Sequence, residues 1–242
     1  MINLLKDYIT RRSPEIIDAI HVEILKTVKE LSIEEDGRLL DVGCWNGAWT
    51  LKFARQAGLK ASNIYGIECI EPSLTQAGEK FNAHYCNLET DNFPYVDGYF
   101  DVVVCNQVFE HLKQIYKPIY EIWRVLKVGG SLIFSVPNLA SIHNRVMLLF
   151  GAQPTSIRIM GPHVRGYTFK AAKDFLEFND YFEIVREKGV GFYPFPEDMT
   201  RAICRLFPSY SHTSVFVARK NSSALPDWVA EMKVRNEQTN FF

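Results

Sequence analysis

The sequence predicts an α/β protein built on an open, doubly wound, mostly parallel sheet. Three observations carry this. From Arg38 onward, short and almost wholly apolar runs alternate with stretches of helical periodicity, as strands covered on both faces by crossover helices do. Gly43, Gly47, Glu68, Asn87 and Asn106 stand at or just past the ends of four of those runs, and open parallel sheets bind ligands outside the carboxyl ends of their strands. The 242 residues are 47% hydrophobic and 23% charged, a balance that fills the core of one decorated domain rather than two independent ones.

The elements follow in order. Ser13-Pro14-Glu15 reads as a helix start: a capping hydroxyl, proline at the first helical position, then an acid. Ile17, Ile20, Ile24 and Val28 recur at helical spacing, so residues 1–36 form a helical segment that packs on the sheet or lids a site. RLLDVG (38–43) is the first buried strand and AWTLKFARQAG (48–58) its helix, ended at glycine. NIYGIE (63–68) is the second strand, Pro72 opens a helix that ends near Phe81, and AHYCNL (83–88) is a short third strand. An Asp97-Gly98 turn leads into FDVVVC (100–105), the fourth. Pro118 opens a helix with the stripe Ile119, Ile122 and Leu126, for which Gly129-Gly130 reads as the stop; SLIFSVP (131–137) is the fifth strand. Thr168 caps a helix over 169–178, and residues 181–190 and 212–220 then read as two strands without a regular helical crossover, which suits an antiparallel pair. The main domain thus spans 37–220, with the long connection 138–168 as a lid and an insertion at 191–211. The mostly polar residues 221–242 form a loosely held tail or a short docking helix.

The chemistry concentrates at the strand ends. LDVGCWNGAWT (40–50) brackets a tight strand-to-helix turn between Gly43 and Gly47, where a ligand can lie against backbone N–H groups at a helix N-terminus. Glu68 ends the second strand, placed to accept both hydroxyls of a ribose. Asn87 and Leu88 offer an amide and an apolar side chain, suited to the edge and face of an adenine. Asn106, in CNQVFEHL (105–112), opens toward the same crevice. Asp41 also reads as a turn carboxylate that caps backbone N–H groups. Cys44, Cys69, Cys86 and Cys105 stand along one rim, but they lack any chelating pair, so small semi-polar packing is preferred to a metal site and none is assigned.

Taken together, LLDVGCWNG, IYGIE, CNLETDNFP, YFDVVVCNQVFEHL and RVLKVGGSLIFSVPN resemble the class I S-adenosylmethionine (SAM)-dependent methyltransferase family, in its small-molecule, type 11-like branch. The resemblance covers about residues 38–138. It implies a Rossmann-like, mostly parallel seven-stranded sheet with an antiparallel last strand, which HTSVFVARK would supply, and S-adenosyl-L-methionine as cofactor with S-adenosyl-L-homocysteine as product. It assigns Asp41, Gly43, Cys44, Trp45 and Gly47 to the nucleotide-binding turn, Glu68 and Cys69 to the ribose, Asn87 and Leu88 to the adenine, and Asn106 and Gln107 to the methionyl part. One position departs from the pattern: the family usually has glycine where this chain has Trp45. A tryptophan backbone still donates its N–H, but positive φ strains it.

On the acceptor side, His111 and His163 are the candidate bases, because an alcohol nucleophile has to lose a proton near neutral pH. Arg145, Arg165 and Tyr167 in the lid are the candidate acceptor-binding residues, since convergent arginines clamp phosphate or carboxylate. SVPNLASIHNR (135–145) followed by HVRGYTF resembles bacterial methyltransferases of glycan and cell-surface saccharide synthesis, which points to O-methylation of a sugar or glycan precursor. The expected partner is a small polar acceptor, anionic or saccharide, and a homodimer is compatible with the surface helices. A net charge of −1, from 27 basic and 28 acidic residues, disfavours nucleic acid. With no apolar run of bilayer length and no basic-then-apolar leader, the expected location is cytoplasmic. Two other classes stay open: an NAD-dependent oxidoreductase, although Gly43, Trp45 and Ala48 give only a damaged dinucleotide fingerprint, and a non-catalytic module that keeps the fold.

Overall fold

A computed structural model of the chain describes residues 2–193, 195 and 197–222. Seven strands form one sheet: β1 (Leu39–Val42), β2 (Ile64–Glu68), β3 (Asn82–Tyr85), β4 (Phe100–Asn106), β5 (Leu126–Pro137), β6 (Phe182–Val190) and β7 (Thr213–Lys220). Their order is β3-β2-β1-β4-β5-β7-β6. The first five run parallel to one another, and β7 is antiparallel to both β5 and β6. The mostly parallel seven-stranded sheet with an antiparallel last strand is therefore the observed one. The chain order reverses between β1 and β4, which opens a crevice at their carboxyl ends.

Alternation along the strands sorts the core into two layers. Leu40 and Val42 of β1 and Val103 and Cys105 of β4 point to one face, where they meet Ile119, Ile122 and Trp123 of α4 (Tyr116–Val125) and Ala172 and Leu176 of α6 (Phe169–Leu176). Leu39, Val102 and Val104 point to the other face. There they meet Ile20, Ile24 and Val28 of α1 (Ile2–Glu30), Phe53 and Ala54 of α2 (Ala48–Gln56) and Ala77 of α3 (Glu71–Gly78). Each fully buried aliphatic side chain contributes about 1.5–3 kcal/mol, so neither layer is dispensable. The 138–168 connection carries α5 (Ile142–Leu149), and α7 (Glu197–Leu206) lies in the second insertion. No helix among the described residues is long and apolar enough to cross a membrane.

The structure corrects two local readings. The first helix begins at Ile2 and runs through Pro14; residues 2–13 contain no glycine or proline, and an internal proline removes one backbone bond without obliging the helix to start there. Gly129 and Gly130 are not a helix stop. Helix α4 ends at Val125, and the glycines sit in β5, where the register against β4 shifts between Phe100 and Val102. Gly129 takes φ +80°, and a Cβ on Gly130 would lie 2.8 Å from the Lys127 carbonyl oxygen, so the bulge requires glycine. The tail expected over 221–242 lies, from residue 223 on, outside the described residues.

At the base of α4 the ammonium of Lys220, the last residue of β7, is buried. It donates to the Trp123 and Leu126 carbonyls, both at 2.8 Å, and stands 4.0 Å from the centre of the Trp123 ring. Burial lowers its pKa from the ordinary value. At the lid, the buried Asn138 amide donates to the carbonyls of Ser209 (2.8 Å) and Ser211 (2.9 Å), fastening the end of β5 to the second insertion.

Candidate active site

The turn after β1 is built on three positive φ angles: Gly43 at +74°, Trp45 at +49° and Gly47 at +75°. A Cβ on Gly43 would lie 2.8 Å from the Val108 side chain, and one on Gly47 would lie 2.5 Å from the Phe81 ring, so both positions admit only glycine. Trp45 takes the same region at a cost of about 1–2 kcal/mol. Its N–H donates to Glu68 Oε2 at 2.9 Å, and its indole is 57% exposed. Glu68 Oε1 accepts the N–H groups of Cys69 (2.8 Å) and Ile70 (3.0 Å). The acid at the end of β2 therefore ties three backbone donors, and the Trp45 N–H that sequence reading aimed at a ligand is held by Glu68 instead.

Asp41 is buried at the end of β1 and accepts the Thr50 hydroxyl at 2.5 Å. Burial pushes its pKa up to about 7, and the nearby Glu68 charge pushes in the same direction. Past β4, the Ser135 hydroxyl donates to Asn106 Oδ1 (2.6 Å) and accepts from Gln107 Nε2 (3.2 Å), while Gln107 takes φ +56° and donates its N–H to the Ser135 carbonyl. Asn87 caps its own turn: its side-chain oxygen accepts the Glu89 N–H and its backbone N–H donates to Asp91. Leu88 is buried in the core. Cys44, Cys86 and Cys105 are buried free thiols and Cys69 is an exposed one; burial raises the pKa of all four.

A cavity of about 520 Å³ opens at the carboxyl ends of β1 and β4, within the size range of small-molecule sites. Asp41, Gly43, Cys44, Trp45, Asn106 and Gln107 form its sheet side. Ile16, Ile20, Trp49 and Phe53 form an apolar wall from α1 and α2, so the N-terminal helix both packs on the sheet and covers the site. Within that wall His21 stacks on Trp49 with centroids 4.0 Å apart, and burial lowers the His21 pKa to about 4. Thr155, Ser156, Arg158 and His163 come from the lid, and Glu110 and His111 from the loop after β4. Glu68, Cys69, Asn87 and Leu88 stand beside this cavity, not on its wall.

His111 and His163 meet edge to face, with centroids 4.8 Å apart. The carboxyl of Glu110 lies with them; that residue is 1% exposed and its Oε2 has no hydrogen-bond partner. Burial pushes the Glu110 pKa up to about 8, and burial followed by the His163 charge lowers that of His111. Sequence reading missed Glu110, although it adjoins His111, because its approach to His163 depends on the fold of the lid.

The three acceptor-binding candidates lie off the cavity wall. Arg145 is exposed, donates to the Ala140 carbonyl at 2.6 Å and stands over the Tyr210 ring. Arg165 donates to the Lys113 carbonyl at 2.6 Å. Tyr167 is buried in the core and its backbone bridges to Asn138. The lid returns to the sheet at that bridge, which carries residues 165–167 under the domain and leaves 155–158 and 163 at the opening. Thr155 and Ser156 are thus the lid residues that sequence reasoning missed, and of the lid arginines 145, 158 and 165 it is Arg158 that stands on the cavity wall. The adjacent hydroxyls of Thr155 and Ser156 were the available signal.

Fold and crevice together define an α/β domain with a nucleotide-type site at the sheet's switch point. Residues 40–134 match the family model described as a methyltransferase domain. Over these 95 of its 242 residues the chain is similar to methyltransferase domains, for which the resemblance implies S-adenosyl-L-methionine as cofactor. It is 31% identical over 111 residues to the ubiquinone/menaquinone biosynthesis C-methyltransferase of Vibrio cholerae serotype O1, covering 42% of this chain and 43% of that one. It is 26% identical over 144 residues to the ubiquinone biosynthesis O-methyltransferase of Hydrogenovibrio crunogenus, covering 57% and 56%. The chain thus spans about half the length of these curated relatives. Among solved structures it is similar to a SAM-dependent methyltransferase from Aquifex aeolicus, with a TM-score of 0.53 and 18% identity, over 80% of this chain and 87% of that one.

The residues present fit that cofactor. Gly43 presents bare main chain on the cavity wall, where a ligand can lie against the backbone. Glu68 Oε1 accepts two N–H groups and Oε2 only one, so Oε2 keeps a lone pair for a ribose hydroxyl. Asn87 keeps its amide donors, since only its oxygen is used in the turn.

Proposed function

We propose that this chain transfers a methyl group from S-adenosyl-L-methionine to a small acceptor bound in the cavity between α1, the sheet and the lid. The observation that carries this reading is the position of the cavity: it adjoins the glycine turn and Asn106, where the resemblance puts the methionyl end, and it is closed by α1 and residues 155–163, which lie outside the matched stretch. The cofactor supplies the reactive methyl on a positively charged sulfur. The protein's part is to align the acceptor in line with that bond and to exclude water. Glu68 and the turn hold the nucleoside part, Asn106 and Gln107 hold the amino-acid part, and α1 covers the reacting centre. His111 and His163 present their ring nitrogens to the acceptor's nucleophilic group.

The wall chemistry selects the acceptor. One side is apolar and aromatic (Ile16, Ile20, Trp49, Phe53); the other offers amides, hydroxyls and Arg158. An amphipathic ring compound with hydroxyl groups suits both sides. The apolar side favours an aromatic acceptor such as a phenol, and the similar proteins are named for ubiquinone and menaquinone biosynthesis. The polar side favours the sugar or glycan precursor suggested by the sequence. Calorimetry with SAM, S-adenosylhomocysteine and NAD tests the cofactor, and release of S-adenosylhomocysteine across a panel of phenols, quinols and sugar nucleotides tests the acceptor. Binding of SAM with turnover on a panel member is expected. Binding of NAD without SAM overturns the reading.

A further inference from the structure

Glu110, His111 and His163 offer one ligand atom each, and these atoms lie within 4.8 Å of one another. Three features set this group apart from a chance cluster. The two imidazoles are already oriented by the main chain: His111 Nδ1 lies 3.3 Å from the Pro162 carbonyl oxygen and His163 Nδ1 lies 2.8 Å from that of Ser156. A carbonyl only accepts, so each Nδ1 carries the proton and each Nε2 keeps its lone pair, the arrangement found in metal-ligating histidines. Second, Glu110 Oε2 is buried and without a hydrogen-bond partner, a costly state for a carboxyl oxygen unless something else binds it. Third, all three residues line the cavity, so a ligand between them would face the acceptor.

We propose that Glu110, His111 and His163 bind a divalent transition-metal cation that keeps open coordination positions toward the cavity. Two imidazoles and one carboxylate suit zinc, manganese or cobalt. Ligand distances of about 2.0–2.2 Å require the three side chains to draw together slightly, and the exposed His111 has room to do so. The open positions take oxygen donors of the acceptor, which gives the site a preference for hydroxyl-bearing rings. The inference deepens the methyltransferase reading and rests on it for the acceptor only: the imidazoles then act on the acceptor through the cation rather than by taking a proton.

The test uses the tag-free full chain, stripped with chelator and titrated with zinc, manganese and cobalt chlorides by calorimetry. Cobalt is also followed by its visible absorption. One cation per chain with a micromolar or tighter Kd is expected. His111→Asn, at an exposed position, and Glu110→Gln, which preserves shape, should each weaken binding at least about tenfold, by analogy with the loss on removing a metal's supporting partners. SAM affinity, measured without metal, should be unchanged in both variants. No binding at millimolar metal, or equal affinity in wild type and both variants, overturns the proposal. Loss of SAM binding by the wild type would instead overturn the methyltransferase reading, so the two failures are distinguishable.

Discussion

The main-chain N–H of Trp45 donates to the Glu68 carboxylate at 2.9 Å, joining the turn after β1 to the end of β2. The bond offsets the positive φ of a bulky residue, since hydrogen bonds to charged groups contribute about 1.5–3 kcal/mol against a strain of about 1–2 kcal/mol.

Glu68→Ala therefore removes the acceptor for three backbone donors as well as the proposed ribose acceptor. SAM affinity should fall by about 1.5–3 kcal/mol or more. Calorimetry on protein whose circular dichroism is unchanged checks it; an unaltered Kd would mean the nucleoside part binds elsewhere.

Trp45→Gly keeps the N–H and releases the strain, while the more flexible unfolded chain costs about 0.5–1 kcal/mol. Stability should stay within about 1 kcal/mol, and SAM affinity should stay within about tenfold, or 1.4 kcal/mol. Complete loss of SAM binding would show that the indole itself forms part of the cofactor site.

Burial pushes the Asp41 pKa up to about 7, well above the ordinary carboxylate range. A raised carboxyl pKa contributes stability that is full below about pH 4 and is lost as pH rises toward 7. Asp41→Asn keeps an acceptor for Thr50 and has no charge to bury. Its stability relative to wild type should rise between pH 4 and 7 and level off above. Urea melts at pH 4.5, 6 and 8 measure this, and a difference independent of pH would refute it.

Lys220→Met leaves the Trp123 and Leu126 carbonyls without their donor. The expected loss is about 2–4 kcal/mol in urea unfolding, with SAM affinity unchanged because the site lies at the other end of the strands. A loss below about 0.5 kcal/mol would mean that water replaces the ammonium.

The sheet was legible because its signals are local: Leu39–Val42, Phe100–Asn106 and Ser131–Pro137 are apolar runs whose register needs no distant partner to be guessed. Gly43, Gly47 and Glu68 were legible because a strand-to-helix turn constrains residue type at fixed spacing. The lid was not. Whether Arg145, Arg158 or Arg165 faces the opening depends on the bridge between Asn138 and Tyr167, a contact across 29 residues that composition does not encode. Glu110 escaped for the same reason: its neighbour His163 is 53 residues away. Pro14 misled because proline is favoured at a helix start, and the structure tolerates it inside one.

The placement of β7 between β5 and β6 has a temporal consequence. During synthesis the ribosome delivers Phe182–Val190 before Thr213–Lys220, yet among the described residues β6 pairs in the sheet with β7 alone. Until the final strand emerges, β5 presents an open edge from Ser131 to Pro137, and β6 has nowhere to dock. The parallel half can assemble as it is made, and the antiparallel half must wait for one late insertion event. Such an unpaired edge invites association with other chains, so the nascent protein is at its most vulnerable until β7 has emerged and paired with β5 and β6.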